Sequence, residues 1–69
     1  MKLTINGEPR EVAVNDEAAT VADALDALGL GDARVATALN GAFVPAPSRA
    51  DAALSPGDAM EIVAPMQGG

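Results

Sequence analysis

The 69-residue sequence predicts an α+β fold: a mixed sheet of four to five strands wrapped around one main helix. Three observations carry this expectation. Two short runs of alternating apolar and polar residues flank Asn6-Gly7, and a second Asn-Gly pair, Asn40-Gly41, again separates two apolar runs. Only one segment, "TVADALDALGLG", repeats its apolar residues at helical spacing. A last alternating run, "AMEIVA", follows the turn "SPGD" and leads into "PMQGG". Residues 1–64 are expected to form the domain, and residues 65–69 a flexible tail that ends in Gly68-Gly69.

In "KLTIN", Leu3 and Ile5 fall on one face and Lys2 and Thr4 on the other, as in a half-buried strand. Asn-Gly is the strongest short hairpin signal, because a type I′ turn needs positive φ at both central residues. "REVAV" then predicts the returning strand over residues 10–14, with Val12 and Val14 inward. In the helix, Val21, Leu25 and Leu28 recur at i, i+4 and i+7 and form one buried stripe. Thr20 is the expected N-cap, Asp23 completes an approximate capping box, and Gly29 follows as the left-handed C′ residue. Ala22, Ala24 and Ala27 favour helix and permit close packing on a sheet.

"RVATALN" and "AFVP" read as a second hairpin, ended by Pro45 and Pro47, which cannot donate to a ladder. Residues 48–54 are expected to form one or two helical turns capped by Ser48. Pro56 and Gly57 punctuate the turn before the last strand. There Met60 and Ile62 face inward, and Glu61 and Val63 face outward. The large residues available for a core are Leu3, Ile5, Val12, Val14, Val21, Leu25, Leu28, Val35, Leu39, Phe43, Val44, Leu54, Met60 and Ile62. Such a core is thin, and domains of this size rarely draw more than about 3–5 kcal/mol from it.

Composition excludes several classes of function. The chain has no cysteine and no histidine, hence no disulfide, thiolate nucleophile or imidazole ligand. No acidic cluster at metal-ligand spacing is visible, so no metal site is expected. Thr20, Ser48 and Ser55 have no base arranged beside them, which argues against an enzyme. Ten acidic residues against four basic ones give a net charge of −6. Phosphate neutralisation needs a basic face, so nucleic acid is an unsuitable partner. No run is long enough to span a membrane, and "MKLTINGEPR" lacks the apolar stretch of a signal peptide, so the expected location is the cytoplasm.

A hairpin, a helix, a second hairpin and a final strand that ends in Gly-Gly resemble the ubiquitin-like β-grasp superfamily, and most closely its ThiS family of bacterial sulfur carriers. The residues that carry the resemblance are "TVADALDALGL", "VATALNGAFVP", "LSPGDAMEIVAP" and "MQGG". The resemblance implies a carrier rather than a catalyst. An E1-like adenylyltransferase of the ThiF type, using ATP and magnesium, would adenylate the Gly69 carboxylate, with no cofactor bound by the carrier itself. Sulfur from a cysteine desulfurase or rhodanese-like donor would then give a thiocarboxylate, which a ThiG-like thiazole synthase consumes in thiamin biosynthesis. One departure stands out: after Val44-Pro45 the family often has a basic residue and, further on, an aromatic. Here Ala46, Pro47 and Ser48 follow, with Arg49 displaced and no aromatic.

Elementary chemistry assigns the tail the same part. A carboxylate is a poor electrophile until adenylated, and Gly68 and Gly69, without Cβ atoms, can enter a narrow pocket. Docking is expected beside the tail, through Val63, Met66 and Gln67, with Asp58 and Glu61 as steering charges. Two other readings are open at this stage: a carrier for molybdopterin or tRNA thiolation, and a β-grasp interaction module with an inert tail. Deleting Gly69 separates a carrier from such a module.

Overall fold

The computed structural model describes residues 1–64. Its elements are β1 (Lys2–Ile5), β2 (Glu8–Glu11), α1 (Val21–Ala27), β3 (Ala36–Leu39), β4 (Ala42–Val44), a 3-10 helix (Ala46–Asp51) and β5 (Ala59–Val63). The order is the expected one, and all five strands join one mixed sheet in the order β2-β1-β5-β3-β4. The last strand in the sequence is thus the middle strand of the sheet. It pairs parallel with β1 and antiparallel with β3, while β1–β2 and β3–β4 are antiparallel hairpins.

Both hairpins turn on their Asn-Gly pairs in the left-handed region, with φ of 52° and 83° at Asn6 and Gly7 and of 51° and 86° at Asn40 and Gly41. The first hairpin differs from the expected one. Strand β2 covers residues 8–11 rather than 10–14, because a two-residue turn pairs Ile5 directly with Glu8. Pro9 is tolerated opposite Thr4 because β2 is an edge strand. Beyond Glu11, Val12 donates its amide to the Met1 carbonyl at 2.8 Å and buries its side chain in the core. Val14 packs on the core's margin.

Helix α1 ends at both sides as its sequence dictates. The Thr20 hydroxyl accepts from the Asp23 amide at 3.3 Å, and the Asp23 carboxylate accepts from the Thr20 amide at 3.0 Å, which closes a capping box. At the other end Gly29 has φ 78°, its amide donates to the Asp26 carbonyl, and the Leu30 amide donates to the Leu25 carbonyl at 2.8 Å. This is a Schellman motif. Val21, Ala24 and Leu25 are buried, and Leu28 and Leu30 seal the margin. Across from them lie Leu3, Ile5 and Met60 of the two central strands. Ala24 is fully buried in the same cluster.

The 3-10 helix starts after Pro45, two residues before the expected Ser48 cap, and has no side-chain cap. Proline at its first turn presets φ and lacks only a donor that would have had no partner. This segment returns Arg49 to the sheet. The guanidinium donates to the Thr37 hydroxyl at 3.1 Å and to the Val35 carbonyl, while Thr37 donates to the Val44 carbonyl at 2.9 Å. Thr37, 1% exposed, is the buried polar side chain of the core and is fully satisfied by this chain of bonds. Among the described residues no helix is long and apolar enough to cross a membrane.

Met1 is also a core residue, and its α-ammonium donates to the Val12 carbonyl at 2.7 Å and to the Glu11 carboxylate at 2.9 Å, with Asp16 at 3.2 Å. The bond to Glu11 raises the pKa of this group above its ordinary 8.0, helped by Asp16 and opposed by desolvation. A pKa raised by folding contributes stability that is complete below pH 8 and is lost as pH rises through the folded value. Urea-unfolding midpoints measured from neutral into alkaline pH should therefore fall. The fall should be smaller when Glu11→Gln and Asp16→Asn are combined; an unchanged pH profile in that double variant would refute the assignment. Removing the helix cap with Thr20→Ala should cost about 1 kcal/mol in the same urea titration, with no change in its slope.

Candidate functional site

Strand β5 ends at Val63, and Ala64 is the last described residue before Pro65-Met66-Gln67-Gly68-Gly69. What the fold does with this strand end defines the site. The inner face of β5 carries Met60 and half-buried Ile62, and the outer face carries Ala59, Glu61 and Val63. Across the sheet, Val63 lies opposite Ala36, and Glu61 opposite Ala38, which in turn lies opposite Phe43. Val63 is 61% exposed and Phe43 69%, the two large apolar side chains that the described surface leaves open. Three small alanines between and beside them make this face flat. Glu61 is the acidic group at its centre.

The end of β5 is held by a side chain rather than by a strand. The β1–β5 ladder stops at Ile5↔Met60 because Asn6 begins a turn. The Asn6 amide N–H still reaches the Met60 carbonyl at 3.0 Å, and its side chain then takes over. The Ile62 amide donates to Asn6 Oδ1 at 2.8 Å, and Asn6 Nδ2 donates to the Ile62 carbonyl at 3.0 Å. A carboxamide has the donor and acceptor of a peptide group, so Asn6 extends the ladder by one more rung. At the start of β5, Asn40 acts likewise: Oδ1 accepts from the Ala59 amide at 2.9 Å, and the Asn40 amide donates to the Ala59 carbonyl at 2.7 Å. The sequence marks both asparagines as turn residues; their second role depends on a partner about 20 to 56 residues away and has no local signature.

Two arginines flank the strand end. Arg34, Val35, Ala36 and Val63 line a shallow apolar hollow on one side. On the other side, a groove between helix and sheet is lined by Ile5, Asn6, Arg10, Leu28, Leu30, Val35, Ile62 and Ala64. In a chain with four basic residues, two of them stand beside the point where it leaves the sheet. The described residues contain no group of three acidic side chains that could hold a metal ion. The arrangement offers a shaped surface beside the end of the last strand.

Of the predicted docking residues, Glu61 and Val63 share the outer face beside the strand end. Asp58 does not join them: it sits before the start of β5, where its carboxylate accepts from the Ser55 amide at 2.9 Å and closes the turn. Five residues of strand separate it from Val63, roughly 17 Å. Met66, Gln67, Gly68 and Gly69 lie outside the described residues. Phe43, expected in the core, is instead on the open face. The signal for this was present: a two-residue turn at Asn40-Gly41 pairs Leu39 with Ala42, so Val44 shares the inner face with Thr37 and Leu39, and Phe43 must point outward.

This geometry has solved counterparts. The chain matches a crystal structure of a thiamine biosynthesis protein (ThiS) from Geobacter metallireducens at 33% identity, over 100% of both chains, with a TM-score of 0.82. It also matches an NMR solution structure of a thiamine biosynthesis protein from the same organism, at 34% identity over 100% of this chain and 88% of that one, with a TM-score of 0.78. No curated relative matches the sequence. The model of the ThiS family covers residues 3–69, from the first strand through the terminal glycine. With the β-grasp architecture and nearly the whole chain accounted for, this protein belongs to the ThiS family.

Proposed function

We propose that this chain is the sulfur carrier for thiazole formation in thiamin biosynthesis, and that the Gly69 carboxylate is its working group. The observation that supports the reading is the family match over residues 3–69, on a fold whose central strand is the last element before those C-terminal residues. A ThiF-like adenylyltransferase brings the carboxylate to Mg-ATP; a carboxylate oxygen attacks the α-phosphorus and pyrophosphate leaves. A persulfide on a donor such as a cysteine desulfurase then attacks the acyl carbon and displaces AMP. A thiol reductant cleaves the S–S bond of the acyl disulfide, itself leaving in a disulfide with the donor's cysteine. The resulting thiocarboxylate delivers its sulfur in a thiazole synthase. The carrier contributes reach and recognition, and the partner's pocket keeps water from the acyl adenylate.

Recognition is assigned to the outer face. Val63 and Phe43 are exposed, and the alanines between them let a partner surface approach the sheet. Glu61 lies among them, and Arg34 beside Val63 adds a charge of the opposite sign, which fixes register more than affinity. Exposed side chains of this kind bury little in the free protein, so their loss affects binding rather than folding.

The carrier chemistry is tested by incubating the chain with a ThiF-type enzyme, Mg-ATP and a sulfur donor, then alkylating and reading intact mass. Exchange of oxygen for sulfur is nearly isobaric with methionine oxidation, so the alkylation step is essential. A chain without cysteine offers the reagent no other thiolate. The expected result is one adduct at Gly69 in the full chain and none after deletion of Gly69; no adduct with a demonstrably active enzyme would sink the reading. For the docking face, Phe43→Ala and Val63→Ala should each raise the KM for the carrier about tenfold, a loss of about 1.4 kcal/mol, with unchanged urea midpoints.

A further inference from the structure

The geometry points to Asn6 as a positioning residue that aims the tail of the carrier, an inference that rests on the carrier reading above. β5 is the strand that leads to the reactive end, and its final residues need a fixed direction if the carboxylate is to meet ATP in line. On one side, Val63 and Glu61 pair with Ala36 and Ala38 of β3. On the other, β1 has already turned away at Asn6, and no strand continues beside Ile62. The Asn6 carboxamide fills that gap with two bonds, 2.8 and 3.0 Å, to the amide and carbonyl of one residue. Ile62 is two residues before the last described position, Ala64. A bidentate clamp there limits rotation of the two peptide planes that flank Ile62, from which Val63 and Ala64 continue.

The clamp is built for stiffness. Asn6 is itself locked at φ 52° by the type I′ turn, and its own backbone amide is bonded to the Met60 carbonyl. Asparagine is among the few residues with a side chain that accepts this left-handed conformation readily. The side chain thus works from a rigid base. Asn40 supplies an internal comparison. It occupies the same turn type and also grips β5, but at Ala59, at the end of the strand remote from the tail. Its side chain makes one bond there where Asn6 makes two, so a purely structural role predicts a loss of stability at both positions and a selective change in adenylation at neither.

The experiment pairs Asn6→Gly with Asn40→Gly. Glycine keeps the positive-φ turn in both, and only the carboxamide is lost. Each variant is assayed for unfolding in urea, for adenylation by the ThiF-type enzyme as pyrophosphate release over a range of carrier concentrations, and for amide hydrogen exchange at Ile62. The expected result is a loss of stability in both variants and faster exchange at Ile62 in Asn6→Gly alone. The kcat of adenylation should fall about tenfold or more in Asn6→Gly, with KM within about twofold, because the docking face is intact while the carboxylate is misplaced. Asn40→Gly should retain both constants.

Unaltered kcat in folded Asn6→Gly, with a wild-type chain that is adenylated normally, would overturn the aiming role and leave the carrier reading standing. Failure of the wild-type chain to be adenylated would overturn both. Should Asn6→Gly not fold, Asn6→Asp carries the same test. It keeps an acceptor for the Ile62 amide and tolerates the left-handed turn, but sets a carboxylate oxygen against the Ile62 carbonyl. The same selective loss of kcat is expected, and its absence would refute the proposal.

Discussion

The structure depends on how its middle strand is held. Among the described residues β5 is the strand that joins the two hairpins, since β2-β1 and β3-β4 touch no strand of each other directly. An isolated two-stranded hairpin is marginal in water. Neither half of this sheet therefore has independent standing, and the pairings that unite them are the ones that connect distant parts of the chain. Yet β1 offers β5 only two ladder positions, Thr4↔Ala59 and Ile5↔Met60. On the β1 side the Asn6 carboxamide fills the gap at Ile62, while on the β3 side Asn40 carries the ladder one residue further, to Ala59. The same residues that reverse the chain locally thus extend the sheet at both ends of β5, over a core of Leu3, Ile5 and Met60 against α1.

What the amino-acid sequence reveals follows the range of the interactions concerned. The ends of α1 were legible because Thr20, Asp23 and Gly29 act on backbone groups within one turn. Both hairpins were legible because Asn-Gly states its own φ requirements. Strand β2 was misplaced by following the valines rather than the turn: the apolar pattern of Val12 and Val14 describes where the chain is buried, not where it is paired. Phe43 was assigned to the core by its size, although the turn register already sent it outward. Thr37, Arg49 and Met1 were not legible. Each is satisfied by groups far along the chain, and a threonine in an apolar run looks like any strand residue until Arg49 arrives beside it.

For the site, legibility has the same limit. The outward phase of Glu61 and Val63 follows from period two and the turn at Asp58 from "SPGD", while the bond of the Asp58 carboxylate to Ser55 and the arginines beside the strand end require the folded chain. The displaced Arg49, a departure from the family's pattern, is accommodated by a 3-10 helix that swings it back onto the sheet. Its guanidinium there bonds one side-chain hydroxyl and one backbone carbonyl, and so serves the core instead of the surface. A domain with no histidine, no cysteine and a single aromatic has little chemistry to offer from its own side chains. The function proposed for this member of the ThiS family asks less of them: a stable strand from which the C-terminal residues continue.

The central location of β5 also has a mechanical meaning. On the carrier function proposed above, a partner that draws in the end of the chain would load the domain at Ala64, along β5. An edge strand so loaded would have a single line of hydrogen bonds to resist it. β5 has neighbours on both sides, one parallel and one antiparallel, so the load is shared across both lines of bonds in shear, and the Asn6 carboxamide sits at the point where it first arrives. A domain loaded in this way resists along two lines of bonds at the strand that leads to its C-terminal residues, so that the proposed hand-over would not peel its sheet apart.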